Sequence, residues 1–127
     1  MQITDSQLDV ASLAALGAEA LALLGSGNVD ALAQRFGYAL AYGADPAIAI
    51  QADLTSSLAS VGATSLGQGG AAHIPTVRYC NPNEAGLLAV VQAMAPTNNG
   101  KAILVELVVT ARGNDTHITL EQISDAA

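Results

Sequence analysis

One cysteine, Cys80, is present in 127 residues, so no intramolecular disulfide can form and a disulfide-stapled secreted scaffold is excluded. Tryptophan is absent, and Phe36, Tyr38, Tyr42 and Tyr79 are the only aromatic residues, which leaves an aliphatic core. Bases are scarce: four stand against eleven acids, for a net charge of -7. Binding to a phosphate backbone rests on Lys and Arg, so nucleic acid is not an expected partner. No leader is expected from Met1-Gln2-Ile3-Thr4-Asp5, which has no basic segment followed by an apolar run. The longest charge-free stretch, Leu54 to Val77, contains Ser56, Ser57, Ser60, Ser65 and four glycines. It reads as a helix end and a loop rather than a membrane span. These absences point to cytoplasmic residence without membrane contact.

What is present is 51% hydrophobic and 12% charged, the balance of a globular chain rather than a disordered one. At 12.7 kDa it fits one domain over residues 1–127. The first half is rich in Ala, the best helix former. A first helix is predicted from Asp5 as N-cap to just before Gly25, burying Leu13, Leu16, Ala20, Leu23 and Leu24. A second starts at Asn28, carries the stripe Val29, Leu32, Phe36 and Leu40, and stops at Gly43. A third has Asp45 as N-cap and Pro46 at its first position, with Ile50, Leu54, Leu58 and Val61 buried and Gly62 at its end.

From Gly62 to Pro75 the helical period is lost, and Gly67-Gln68-Gly69-Gly70 reads as a flexible connector. It is not a phosphate loop, since no Lys-Ser/Thr follows and a strand rather than a helix comes next. Beyond it the residues become β-branched with a period of two. Strands are predicted at Thr76–Cys80, Leu87–Met94, Ala102–Ala111 and Thr116–Leu120, separated by segments rich in Asn, Pro and Gly. The fold class is therefore α+β, with three N-terminal helices (5–62) packed on a four-stranded antiparallel β-meander (76–121).

A two-residue turn at Gly113-Asn114 sets Val109 opposite Ile118 and Leu107 opposite Leu120. Ile103, Val105, Leu107, Val109, Ile118 and Leu120 then lie under the helices. Glu106, Val108, Thr110, His117, Thr119 and Glu121 lie on the other face, with Glu106 directly across from Glu121. Treating Asn99-Gly100 in the same way adds Ala89, Val91 and Ala93 to this second face. Nothing in the chain is left to cover it, so it is either solvated or a contact surface.

Candidate sites follow from this arrangement. Glu106, Asp115 and Glu121 form an anionic patch fit for a cationic partner. A metal held by Glu106, Glu121 and His117 lacks any diagnostic spacing, and no cofactor or metal is expected. Cys80, His117 and Glu106 have the chemistry of nucleophile, base and orienter. The meander places Cys80 and His117 on opposite edges, about 14 Å apart at normal strand spacing, so no enzyme is read from them. His73 reads as a loop residue. Arg35, Tyr38 and Tyr42, at i, i+3 and i+7 along the second helix, form a rival partner-binding face, because Arg and Tyr often anchor interfaces.

The second half, Arg78-Tyr79-Cys80-Asn81-Pro82-Asn83-Glu84-Ala85-Gly86-Leu87-Leu88 leading into Ile103-Leu104-Val105-Glu106-Leu107-Val108-Val109-Thr110, carries a further indication. It resembles the small, acidic, cytoplasmic immunity proteins of bacterial contact-dependent and other polymorphic toxin systems. The resemblance implies a non-enzymatic protein that binds and neutralises a toxin domain, often a basic nuclease. The acidic charge agrees with a basic partner, which it would steer into contact. The alternative is a homo-oligomeric accessory or regulatory module, with the open sheet face as a homodimer contact.

Overall fold

The computed structural model describes residues 1–67 and 75–125; the expected connector residues Gln68, Gly69 and Gly70, and His73, lie outside them. Three α-helices come first: α1 (Val10–Gly25), α2 (Val29–Phe36) and α3 (Pro46–Ser60). Asp9, not Asp5, caps α1: its carboxylate accepts from the Ser12 amide at 3.1 Å and the Ser12 hydroxyl at 2.6 Å. Asp5–Gln7 forms a separate 3-10 turn, in which the Gln7 side chain accepts from the Thr4 amide at 2.9 Å. Helix α2 ends at Phe36 rather than at Gly43, because Gly37 turns the chain out at φ +70. Leu40 falls in a second 3-10 turn, Ala39–Ala41. Helix α3 has the expected Asp45 cap and first-turn Pro46.

The sheet has five strands, not four: β1 (Gln2–Ile3), β2 (Thr76–Tyr79), β3 (Leu87–Pro96), β4 (Ala102–Arg112) and β5 (Asp115–Asp125). They run antiparallel in the order β1-β5-β4-β3-β2. The added strand pairs Gln2 with His117 and Ile3 with Thr116, and the Ile118 amide donates to the Met1 carbonyl at 2.8 Å. Two residues are too few to show an alternating pattern, so β1 is made by its partner rather than by its own sequence. It buries Ile3, which is 4% exposed.

Strands β4 and β5 keep the predicted register, with Val109 level with Ile118 and Leu107 with Leu120. Beyond Leu120 the two part by one residue. A bulge sets Glu106 level with Gln122 and leaves Glu121 as the extra residue, so the expected Glu106–Glu121 pair does not form. The bulge thus removes two like charges from directly opposed positions.

The β3–β4 hairpin departs further from expectation. Its loop has three residues, Asn98, Asn99 and Gly100, closed by the Thr97 amide donating to the Lys101 carbonyl at 2.9 Å, with Gly100 at φ +81. One extra loop residue shifts the pairing by one and exchanges the faces of β3. Ala89, Val91, Ala93 and Ala95 lie in the core under the helices. Val90, Gln92 and Met94 take the outer face, where Val91 and Ala93 were expected.

The tip of that hairpin also fastens the chain leaving α3. Asn99 donates to the Val61 carbonyl at 2.9 Å, and Asn98 both donates to the Thr64 hydroxyl at 2.7 Å and accepts from the Thr64 amide. The Gly67 amide reaches the Pro96 carbonyl at 2.7 Å. Residues 62–67, read from sequence as the start of a flexible connector, are therefore pinned to the sheet. On the inner face, α1 rests directly on β3 at Gly17. A Cβ there would lie 2.9 Å from Val91 Cγ1 and 3.0 Å from Pro75 Cγ, so only glycine allows this approach.

Candidate functional site

The helices cover one face of the sheet and leave the other open. Register places Arg78, Val90, Val108 and Thr119 in one row across that open face, and Thr76, Gln92, Glu106 and Gln122 in the next. Met94, Leu104 and Ser124 follow. Val90 is only 6% exposed yet stands outside the core cluster beneath the helices. Arg78 and Val108 flank it in its row. Gln92 Nε2 donates to Glu106 Oε2 at 3.0 Å across the strands, fixing the carboxylate in the middle of the face.

Asp115 lies at the end of the same face, where its Oδ1 accepts from Gln2 Nε2 at 3.2 Å. Glu121 sits half-buried at the bulge. The three acids singled out from sequence therefore share one side of the sheet but do not converge. Glu106 and Asp115 are separated by about 20 Å at the usual rise per residue. By the same alternation, Arg78 and Arg112 lie on this face too, and they offset most of its negative charge.

The second group fares differently. Because α2 ends at Phe36, the helical spacing does not extend to Tyr38 and Tyr42, and the expected shared face is not formed. Arg35 Nε pairs with Glu19 Oε2 at 2.9 Å, and its guanidinium lies 6.0 Å from the centre of the Phe36 ring. Tyr38 turns inward, is 6% exposed, and donates its hydroxyl to Asp53 Oδ2 at 2.5 Å. Tyr42 points out, 85% exposed, in the left-handed region at φ 50.

Burial, then the hydrogen bond to Asp53 and its charge, push the Tyr38 phenol well above its ordinary value. A pKa raised by folding gives stability that is complete below the unfolded phenol value near pH 10 and is lost as pH rises beyond it. Tyr38→Phe is expected to cost about 1 kcal/mol at neutral pH, since half-exposed Asp53 regains water. It should also flatten the alkaline fall in stability. Urea unfolding at pH 8 and pH 11 checks both. Asp9 shows the opposite shift, because bonds from the Ser12 hydroxyl and amide hold its carboxyl below the usual range.

Sequence reasoning missed two exposed apolar residues, Ile48 at 69% and Val10 at 56%. Ile48 lies in the first turn of α3, off the buried stripe, which is the one signal that could have flagged it. It is six residues from exposed Tyr42 and three from the Asp45 cap. The helical half, residues 1–67, carries six acids and one base, and that base is paired with Glu19.

Cys80 lies just past the end of β2 and His117 is on β5, with β3 and β4 between them. His117 is not on the expected edge, because Gln2 of β1 pairs with it on the outer side. The Nδ1 atom of His117 is buried and finds no partner among the described residues. Among those residues no three His, Cys, Asp or Glu converge as a metal site, and no helix is long and apolar enough to cross a membrane. Gln7, Ser12, Ala15, Leu16, Ala18 and Glu19 line a shallow, open depression beside α1. Neither a family model, nor a curated protein, nor a solved structure matches this chain.

Proposed function

We propose that this chain is a non-enzymatic, cytoplasmic binding protein that neutralises a cognate bacterial toxin domain, in the manner of the immunity proteins it resembles. The observation that supports this most is the uneven charge. Six acids and one paired base occupy the helical half, whereas two arginines largely offset the acids of the open sheet face. A basic domain would be steered toward the helical layer. There Tyr42 and Ile48 offer exposed apolar area of the kind that anchors an interface. Glu106, Asp115 and Glu121 remain the competing surface.

Co-expression with a toxin domain taken from a neighbouring gene tests the reading. Growth should be restored by the parent chain, and association of the purified pair should slow as salt is raised. The Tyr42→Ala, Ile48→Asp double variant should weaken binding by at least tenfold, largely through faster dissociation. Charge reversal of Glu106 and Glu121 should leave protection intact. Loss of protection by the second variant alone would move the contact to the sheet. Failure of any neighbouring toxin domain to bind would end the immunity reading.

A further inference from the structure

We infer that the open face of the sheet pairs with the same face of a second copy of this chain, forming a two-fold dimer with the helical layers outside. This inference stands on the sheet alone and does not depend on a toxin partner. Two apolar pairs, Val90 with Val108 and Met94 with Leu104, flank the centre of the face, and the carboxylate between them, Glu106, is already held by Gln92. Its charge is close to balanced, unlike that of the helical half, so two copies meet there with less repulsion than their net charge of -7 imposes elsewhere.

The placement of the charges is also self-complementary. Consider a two-fold axis running along the strands between β3 and β4. It lays β2 of one copy over β5 of the other and β3 over β4. Arg78, level with Thr119 in its own sheet, then reaches the bulge that carries Glu121 in the second copy. Glu106 of each copy meets Gln92 of the other, which gives the carboxylate a second donor. Both contacts occur twice by symmetry, as an isologous interface requires.

The dimensions fit as well. Three strands of ten or eleven residues and the short β2 give a plan area on the order of 550 Å² per copy at normal strand spacing and rise. Side-chain relief raises the accessible area toward the ~800 Å² per partner of a standard stable interface. Two sheets packed in this way form an aligned sandwich, the common arrangement for twisted sheets facing each other.

Light scattering and sedimentation of the full chain, from the low-micromolar to the hundred-micromolar range, test the dimer directly. The parent should sediment at twice 12.7 kDa. Val108→Glu, at a half-exposed position, should give a folded monomer by circular dichroism. Arg78→Glu should weaken association at least tenfold, and Arg78→Glu with Glu121→Arg should restore it. Should Val108→Glu fail to fold, Thr119→Arg on the same row serves in its place. A monomer at every concentration overturns the inference, as does a folded face variant that still dimerises. A charge swap that restores nothing overturns the proposed two-fold arrangement.

Discussion

Replacing Phe36 by alanine is expected to cost about 3–5 kcal/mol, a large part of the stability of a domain of this size. Phe36 is 1% exposed and is the only phenylalanine, in a core otherwise built mainly from Leu, Ile, Val and Ala. Small neighbours cannot grow into the space it leaves. The position also ends α2, where Gly37 takes the chain away toward Tyr38. Collapse around the cavity would have to move α2 against α1, α3 and β5, which it packs against. Phe36→Leu should recover most of the loss, because it refills much of the volume. Urea unfolding of the three proteins by circular dichroism measures this. A cost below about 1 kcal/mol for Phe36→Ala would mean that the side chain is not buried in the core.

Much of the architecture was legible from strong local signals. Asp45-Pro46 marks the start of α3 because a carboxylate cap and a proline at the first helical position both suit orphan amides. Gly113-Asn114 fixes the β4–β5 hairpin, since Gly113 adopts φ +62 in a two-residue turn. The failures were equally local. Asn28 correctly opens α2, but the apolar spacing runs on through Leu40, and so it hides the stop at Gly37. Gly37 and Gly43 both have positive φ, and nothing in the spacing says which one ends the helix.

The candidate sites were less legible because they rest on register. Pro96-Thr97-Asn98-Asn99-Gly100 is compatible with a two-residue or a three-residue loop, and only the tertiary contacts choose. Asn98 and Asn99 are occupied with Thr64 and Val61, which favours the longer loop. That choice turns one whole strand over. In the same way, the Glu121 bulge and the inward turn of Tyr38 are set by packing partners distant in sequence, Glu106 and Asp53 among them.

Everything proposed for the open face depends on which residues of β3 point away from the helices. The direct measurement is a comparison of Ala93→Glu with Met94→Glu by urea unfolding and circular dichroism. Ala93 is 1% exposed beneath the helices, and a glutamate there would be a buried charge with no partner. Such a substitution costs more than about 4 kcal/mol and should leave the chain largely unfolded. Met94 is half-exposed on the outer face, and Met94→Glu should fold with a loss of about 1 kcal/mol or less. An unfolded Met94→Glu beside a folded Ala93→Glu would put the opposite set of β3 residues under the helices and contradict the open face described above.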